Sequence, residues 1–235
     1  MEPRLLLVHS PLVGSDTWEP VASSLADNGH AVIVPDLVGT LTAGPPYHRR
    51  QARLIADSAR GRPVVLIGHS GAGPLLATAA ATLGEGARGH VFVDAGLPTP
   101  GRSWMETVPE DLAAQLLSMA DPQGWLPPWS QWWGEEELAA LLPDAELRRR
   151  FVAGCPRLPL AMFEETHPPA PEWPTASGGY LQLSEAYEAD AARASELGWP
   201  VIRQQSHHLA LLTEPDVVAA EILRLIGRLL LIPDD

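Results

Sequence analysis

The sequence predicts an α/β fold, a three-layer sandwich built on a mostly parallel sheet of about six strands, with a helical cap inserted. Short apolar runs bounded by turn residues alternate with helical patterns along the chain, which is typical of a parallel sheet covered by helices on both faces. A stretch rich in proline and tryptophan interrupts the alternation once. With 235 residues, the chain is long enough for one large domain of this class.

Each element is predicted from these two patterns, in chain order. Apolar runs between turn residues predict strands at 4–8, 31–35, 63–67, 90–93, 180–183 and 200–204. Helical spacing of apolar residues fills most gaps and predicts helices at 18–28, 47–59, 71–83, 188–197 and 215–230.

About 80 residues, 98–178, separate the fourth predicted strand from the fifth, which is too long for a simple connection. This stretch holds 13 of the 24 prolines and six of the eight tryptophans, so its composition differs from that of the rest. Helical patterns at 109–119 and 135–142 predict a cap over the carboxyl edge of the sheet, where open α/β sheets bind ligands. We therefore expect a core of residues 1–97 and 179–235 and a cap of residues 98–178. Trp129, Trp132 and Trp133 either line an apolar pocket under the cap or only hold the cap together.

Composition excludes several classes of function. The net charge of −13, from 16 basic and 29 acidic residues, argues against nucleic acid or an anionic membrane as a partner. All basic residues are arginine, and the absence of lysine excludes a Schiff-base lysine, a pyridoxal-phosphate lysine and a phosphate-loop lysine.

The chain shows no sign of secretion or of a metal site. Cys155 is the single cysteine and cannot form an internal disulfide, and no Cys/His spacing resembles a zinc site. The apolar run near the amino terminus is too short for us to expect a signal peptide, and no apolar run reaches the length of a membrane span. We expect a soluble cytoplasmic protein, a monomer or homodimer, that binds a small molecule and uses neither metal nor organic cofactor.

The most informative motif runs from Val64 to Gly73: an apolar strand, Gly68-His69-Ser70-Gly71, then small residues that open a helix. This arrangement places Ser70 on a tight strand-to-helix turn, where its hydroxyl is exposed and the Gly71 N–H points at whatever the hydroxyl attacks. The motif reads G-x-S-x-A, because Ala72 stands where a glycine is usual. Ser70 is therefore a candidate nucleophile.

A serine nucleophile needs a base and an orienting carboxylate, each just past the end of a later strand. The last predicted strand is followed by His207-His208, and His208 is the preferred base with His207 as its neighbour. Two acids remain open: Glu185, after the penultimate strand, is preferred over Asp94, which ends the strand before it. The remaining histidines are weaker candidates: His69 packs under the turn, His9 lies in the first loop, and His30, His48, His90 and His167 fit ordinary surface or edge positions.

The chain resembles small, cap-bearing members of the α/β-hydrolase superfamily and is similar to bacterial α/β-fold hydrolases of secondary metabolism. The resemblance covers both ends of the core but not the cap. It is carried by Val8-His9-Ser10-Pro11-Leu12-Val13-Gly14 with Trp18, Val34-Pro35-Asp36-Leu37 with Gly39, Gly68-His69-Ser70-Gly71, Phe92-Val93-Asp94-Ala95-Gly96, and His207-His208 with Pro215.

One motif departs from the family pattern. Members usually carry His-Gly after the first strand, and the residue after that glycine donates the second N–H to the oxyanion. Here the triplet is His9-Ser10-Pro11, and proline has no N–H. Either Leu12 donates instead, beside Gly71, or a tetrahedral oxyanion loses about 3 kcal/mol of stabilisation.

These motifs predict a serine hydrolase that cleaves an ester, thioester or lactone through a Ser70-His208-acid triad and an acyl-enzyme. The tryptophans of the cap would select an apolar or aromatic substrate. The first alternative is a lyase or cyclase of natural-product biosynthesis that uses the same residues for acid/base catalysis, which Pro11 favours. The second alternative is a catalytically dead ligand-binding protein.

Overall fold

The computed structural model describes residues 3–170, 173 and 177–230. Within them the strands are β1 (Arg4–Val8), β2 (Val32–Ile33), β3 (Val64–Ser70), β4 (Ala87–Ala95), β5 (Trp125–Leu126), β6 (Leu158–Pro159), β7 (Gly178–Gln182) and β8 (Val201–Arg203). The helices are α1 (Glu19–Asp27), α2 (Tyr47–Ser58), α3 (Gly73–Leu83), α4 (Glu110–Met119), α5 (Glu135–Leu141), α6 (Ala145–Gly154), α7 (Leu160–Glu164), α8 (Glu188–Glu196), α9 (Ala210–Thr213) and α10 (Pro215–Leu230).

The main sheet has six strands in the order β2-β1-β3-β4-β7-β8, and all its neighbouring pairs are parallel. The chain therefore starts near the middle of the sheet, builds outward to β2, returns through β3 and continues to the other edge. Because every strand points the same way, the loops that follow β1, β3, β4, β7 and β8 all lie at one edge. This carboxyl edge collects the residues singled out in the sequence.

The two faces of the sheet bury alternate residues of each strand, as the period of two requires. Leu5 and Leu7 of β1 face α1 and α10, whereas Leu6 and Val8 face the helices α2, α3 and α8. The sheet thus lies between two helical layers, and both sides of its central strands are fully buried.

The segment between β4 and β7 carries helices α4 to α7 and the small antiparallel sheet β5-β6. One apolar cluster of this segment joins Leu116, Leu126 and Phe163 to Leu41 and Tyr47 of the core. A second cluster joins residues of α5 and α6 to Val13 and Leu209, which lie in loops at the carboxyl edge. The segment therefore packs over the edge where the strands end.

The structure confirms the predicted fold class, including six parallel strands and helices on both faces. It also contains helices that the sequence patterns did not predict, α6, α7 and α9. The predicted core includes residues 1–2 and 231–235, and the predicted cap includes 171–172 and 174–176, all of which lie outside the described residues. In the part that is described, no helix is long and apolar enough to cross a membrane.

Candidate active site

Ser70 is the last residue of β3, and its backbone has a φ of +57°. A residue with a side chain rarely adopts this left-handed conformation, which costs on the order of 1–3 kcal/mol. The turn that follows leads into α3 within three residues. The chain therefore places Ser70 at the carboxyl edge of the sheet, on the tight turn that the motif predicts, although its side chain is more buried than expected, at 9% exposed.

Glycines allow the turn to pack closely, although not at the position that the usual motif specifies. A Cβ on Gly73 would lie 2.1 Å from the backbone oxygen of Gly96, so α3 can approach the end of β4 only if residue 73 is glycine. Ala72 is buried and fits without glycine. A Cβ on Gly71 would lie 2.9 Å from Ser10 Oγ, because the loop after β1 packs directly against the turn. The glycine that close packing requires is therefore residue 73 and not residue 72, which accounts for the reading G-x-S-x-A.

His208 links the serine to a carboxylate. Its Nδ1–H donates to Asp94 Oδ2 (2.7 Å), and its Nε2 lies 3.1 Å from Ser70 Oγ. An ionised carboxylate only accepts hydrogen bonds, so a neutral imidazole here carries its proton on Nδ1 and accepts the Ser70 proton at Nε2. This is the geometry that a general base for Ser70 requires.

Asp94 is fully buried and all its lone pairs have donors nearby. Besides His208, its carboxylate accepts the N–H groups of Leu183 (2.8 Å) and Ser184 (2.9 Å) and the Ser184 hydroxyl (2.6 Å). Burial acts to raise the pKa of Asp94, but the hydrogen bond and charge of His208, with the donors of Ser184 and Leu183, hold it below its ordinary value. The carboxylate is therefore ionised at neutral pH.

A bulge in β4 directs Asp94 at His208. The pairing of β3 with β4 runs from His69 opposite Val93 to Ser70 opposite Ala95, so Asp94 is the additional residue, with a φ of +43°. Such a bulge turns one side chain away from the regular alternation. Asp94 can thus reach the histidine although it lies within a strand.

The structure brings Asp94 to His208, and not Glu185, the acid preferred in the sequence analysis. Glu185 begins a 3₁₀ helix, Glu185–Tyr187, and its side chain is exposed. Among the described residues, His208 forms its carboxylate hydrogen bond with Asp94 and none with Glu185. The chain turns at Ser184 to donate two hydrogen bonds to Asp94, and this turn carries Glu185 toward solvent.

Several histidines are more buried than the sequence analysis expected. His48, His90 and His167 have no more than 6% of their surface exposed and are not surface or edge residues, because sheet and helices cover them. His48 and His167 stack with their ring centroids 4.0 Å apart and line the cavity described below. His207, by contrast, is half-buried and turns away, with its Nε2 3.0 Å from Thr213 Oγ1.

His69 lies under the turn, as expected from the sequence. It also contacts His208. Its ring stacks on that of His208, with centroids 4.6 Å apart, and its Nε2–H donates to the His208 carbonyl (2.9 Å). Burial, followed by the nearby His208, lowers the pKa of His69 to about 3. His69 therefore stays neutral and holds the backbone of His208 without adding a second positive charge.

The loop after β1 offers few free N–H groups to an oxyanion. Pro11 has none, and the Leu12 N–H points to Ser10 Oγ (3.3 Å). Gly71 has a free N–H, for which the described residues provide no acceptor. His9 anchors this loop, because its Nδ1–H donates to the Ser10 carbonyl (2.8 Å) and its Nε2 accepts the Leu37 N–H (2.9 Å). Donor roles for Gly71 and for Leu12 both stay predictions.

A cavity of about 840 Å³ opens above Ser70, beneath the segment between β4 and β7. Its walls include all three predicted tryptophans. Trp129 lies 6.2 Å from the His208 ring and 6.4 Å from the ring of Trp133, measured between centroids. Trp133 is 49% exposed, whereas Trp132 is 8% exposed and its Nε1–H donates to the Pro127 carbonyl (2.9 Å). Trp132 therefore combines both predicted roles, since it lines the cavity and holds the segment together.

Tyr187 lies next to Ser70, and the sequence analysis did not identify this residue. Its ring is nearly parallel to that of His208, at 13° with centroids 5.2 Å apart, and its hydroxyl lies 3.4 Å from Ser70 Oγ. The one signal in the sequence is its place two residues after Glu185, in the segment that follows β7. The arrangement as a whole can activate a hydroxyl for attack on a carbonyl inside a mostly apolar cavity.

Comparison with known proteins agrees with this architecture. The model of a family described as "Alpha/beta hydrolase family" matches residues 5–221. No curated protein sequence matches the chain at a significant level.

Solved structures share the fold at low sequence identity. An extracellular alpha/beta-hydrolase from a Paenibacillus species superposes with a TM-score of 0.78 at 18% identity, covering 95% of this chain and 98% of that one. Methylketone synthase I from tomato superposes with a TM-score of 0.71 at 16% identity, covering 97% of this chain and 99% of that one. A pyrethroid hydrolase from Sphingobium faniae JZ-2 superposes with a TM-score of 0.69 at 19% identity, covering 94% of this chain and 96% of that one. At such identities the likeness concerns the fold alone.

Proposed function

Because this chain belongs to the alpha/beta hydrolase family, we propose that it is a serine hydrolase that cleaves an ester, thioester or lactone of an apolar or aromatic small molecule. The observation that carries the proposal is the chain of contacts from Ser70 Oγ to His208 Nε2 (3.1 Å) and from His208 Nδ1 to Asp94 Oδ2 (2.7 Å). Ser70 is the nucleophile, His208 the base and Asp94 the carboxylate that orients it.

The reaction follows from the proton positions. His208 Nε2 takes the Ser70 proton while Ser70 Oγ forms a bond to the substrate carbonyl carbon, and the carbonyl oxygen becomes an oxyanion near the Gly71 N–H. The oxyanion then collapses, the bond to the alcohol or thiol breaks, and His208 returns its proton to that leaving group. Water, deprotonated by His208, attacks the acyl group and regenerates Ser70 with release of the acid.

The cavity supports an apolar substrate. Leu138 and Leu141 of α5 and Trp129 lie in its wall on the side of the inserted segment, and its volume of about 840 Å³ is within the range of small-molecule sites. We propose that residues 98–178 act as a cap, whose aromatic side chains exclude water from the acyl group. The acyl moiety would lie against the cap and the scissile carbonyl at Ser70.

A lyase or cyclase that uses His208 and Ser70 for acid/base catalysis is the second candidate. The observation that favours it is the oxyanion loop, in which Pro11 lacks an N–H and the Leu12 N–H points to Ser10 Oγ. A reaction without a tetrahedral oxyanion would not need the second backbone donor. Such an enzyme would turn over a substrate that has no hydrolysable bond.

The test uses a fluorophosphonate probe, because the probe reports on an activated serine without knowledge of the substrate. Wild-type protein is treated, its intact mass is measured and the modified peptide is mapped, with Ser70→Ala and His208→Ala as parallel samples. We expect one adduct on Ser70, none in Ser70→Ala, and strongly slowed labelling in His208→Ala, since the base is lost. Folding of all three is checked by circular dichroism.

The result separates the candidates. A Ser70 adduct, followed by turnover of an ester or thioester, supports the hydrolase. Folded wild-type protein that forms no adduct contradicts the hydrolase and leaves the acid/base enzyme or a binding protein without catalysis. Tight binding of a small molecule without conversion would then indicate the binding protein.

A further inference from the structure

Of residues 11, 12 and 71 beside Ser70, only Gly71 has a backbone N–H without an acceptor among the described residues, whereas acyl transfer usually employs two free donors. Gly71 supplies its N–H, Pro11 has none to supply, and the Leu12 N–H already points to Ser10 Oγ at 3.3 Å. The loop cannot readily turn Leu12 toward the cavity, since Val13 N–H also donates to the Ser10 carbonyl (3.1 Å) and closes the turn. A side chain can supply a second donor in place of this loop.

The Tyr187 side chain also reaches the reacting atoms. Its hydroxyl lies 3.4 Å from Ser70 Oγ, and Tyr187 contributes to the wall of the same cavity. The parallel stack on His208 fixes the plane of the ring, and the preceding 3₁₀ helix follows directly from the turn in which Ser184 contacts Asp94. Position and orientation of the hydroxyl are thus set by the same elements that hold the base.

The direction of the hydrogen bond follows from its neighbours. His208 Nδ1 donates to Asp94, so Nε2 accepts, and the Ser70 hydroxyl donates its only proton to Nε2. Ser70 Oγ can then only accept from Tyr187. Burial raises the pKa of Tyr187 to about 12, so its hydroxyl keeps the proton at neutral pH.

We propose that Tyr187 is a further catalytic residue, whose hydroxyl donates a hydrogen bond to the substrate carbonyl oxygen as it becomes the oxyanion and so supplies the donor that Pro11 lacks. The inference rests on the proposed hydrolase function. Tyr187 transfers no proton. Its hydrogen bond to the neutral serine is weak. When Ser70 Oγ bonds to the carbonyl carbon, the negative charge passes to the former carbonyl oxygen, and the Tyr187 hydroxyl then donates its stronger hydrogen bond to that oxyanion.

The test compares rates of Ser70 phosphonylation by a fluorophosphonate in wild type and Tyr187→Phe, which removes only the hydroxyl and keeps the ring on His208. Loss of one oxyanion donor typically slows the reaction by about 100-fold to 1,000-fold, and we expect a loss in this range. A purely stacking role predicts no change in Tyr187→Phe and a loss only in Tyr187→Leu. The pH profile of labelling should keep its shape in Tyr187→Phe, because the base is untouched.

Restoring a backbone donor provides a second, independent measurement. Pro11→Ala gives residue 11 an N–H, and we expect Pro11→Ala/Tyr187→Phe to label at least about 10-fold faster than Tyr187→Phe alone. Thermal unfolding monitors the fold of each variant, and Ser10→Ala tests the other nearby hydroxyl.

Each outcome is decisive. Labelling of Tyr187→Phe within about three-fold of wild type, or a double variant no faster than Tyr187→Phe, overturns the proposal. So does a large loss in Ser10→Ala without one in Tyr187→Phe, since the donor would then be Ser10. If wild-type Ser70 forms no adduct at all, the hydrolase function fails first, and that failure is recognised before any Tyr187 variant is compared.

Discussion

Replacing Asp94 by asparagine tests the candidate triad where sequence and structure disagree. One carboxylate oxygen accepts two backbone N–H groups, from Leu183 and Ser184, and the other faces the Ser184 hydroxyl and His208 Nδ1. Asparagine has one oxygen and one NH₂ group. If its oxygen keeps the two backbone donors, its NH₂ faces His208, and the imidazole must carry its proton on Nε2, where it can no longer accept the Ser70 proton.

The size of the rate loss in Asp94→Asn follows from the alternative orientation of the asparagine amide. Turning the asparagine to keep the correct tautomer of His208 leaves two buried backbone N–H groups facing an NH₂, at about 1–3 kcal/mol each. A total of about 2–6 kcal/mol corresponds to a loss of about 30-fold to 10⁴-fold in rate. The upper end equals the effect of the same substitution in serine proteases, about 10⁴-fold.

The assay is the rate of fluorophosphonate labelling at Ser70, together with turnover of any ester the wild type accepts. Glu185→Gln is the matched control: it makes the same chemical change at the exposed acid and should leave the rate within about two-fold, as expected for a surface substitution. Urea unfolding shows whether each variant is folded. If folded Asp94→Asn keeps more than a tenth of the wild-type rate, or if Glu185→Gln loses activity, the assignment of Asp94 is wrong.

Two further predictions concern stability. Gly73→Ala would place a Cβ 2.1 Å from a backbone oxygen and should lower the free energy of unfolding by about 1–3 kcal/mol. Gly227→Ala in α10, where a Cβ meets nothing within 4 Å, should raise that free energy by up to about 1 kcal/mol. Urea titration measures both variants, and equal effects would refute the packing argument. Burial lowers the pKa of His90 from 6.5 to about 4, so the unfolded chain takes up a proton more readily and stability falls as the pH drops from about 6.5 toward 4. His90→Phe should therefore reduce the stability loss between pH 7.5 and pH 5.0 by about 2 kcal/mol, and an unchanged pH dependence in urea unfolding would contradict it.

Local patterns were sufficient for the elements of the core. The run Leu5-Leu6-Leu7-Val8 is apolar on both faces because helices cover both sides of β1, and the structure has a strand there with the predicted bounds. Helix α10 likewise begins at Pro215 and extends to Leu230. In the inserted segment, by contrast, α6 and α7 were not predicted, because their apolar residues pack in clusters that also contain residues distant in sequence.

The sequence by itself determined the fold class, the candidate nucleophile Ser70 and the candidate base His208, because each depends on residues adjacent in the chain or on the position of a residue after a strand. Only the tertiary structure brings Asp94 rather than Glu185 to His208 and places Tyr187 beside Ser70. The choice of acid depends on a bulge that turns Asp94 out of the β4 alternation, and the position of Tyr187 depends on a stack with a ring 21 residues away. The contacts of Asp94 and of Tyr187 with His208 each join residues near the ends of different strands. Their distances become defined only when the sheet brings those ends to one edge.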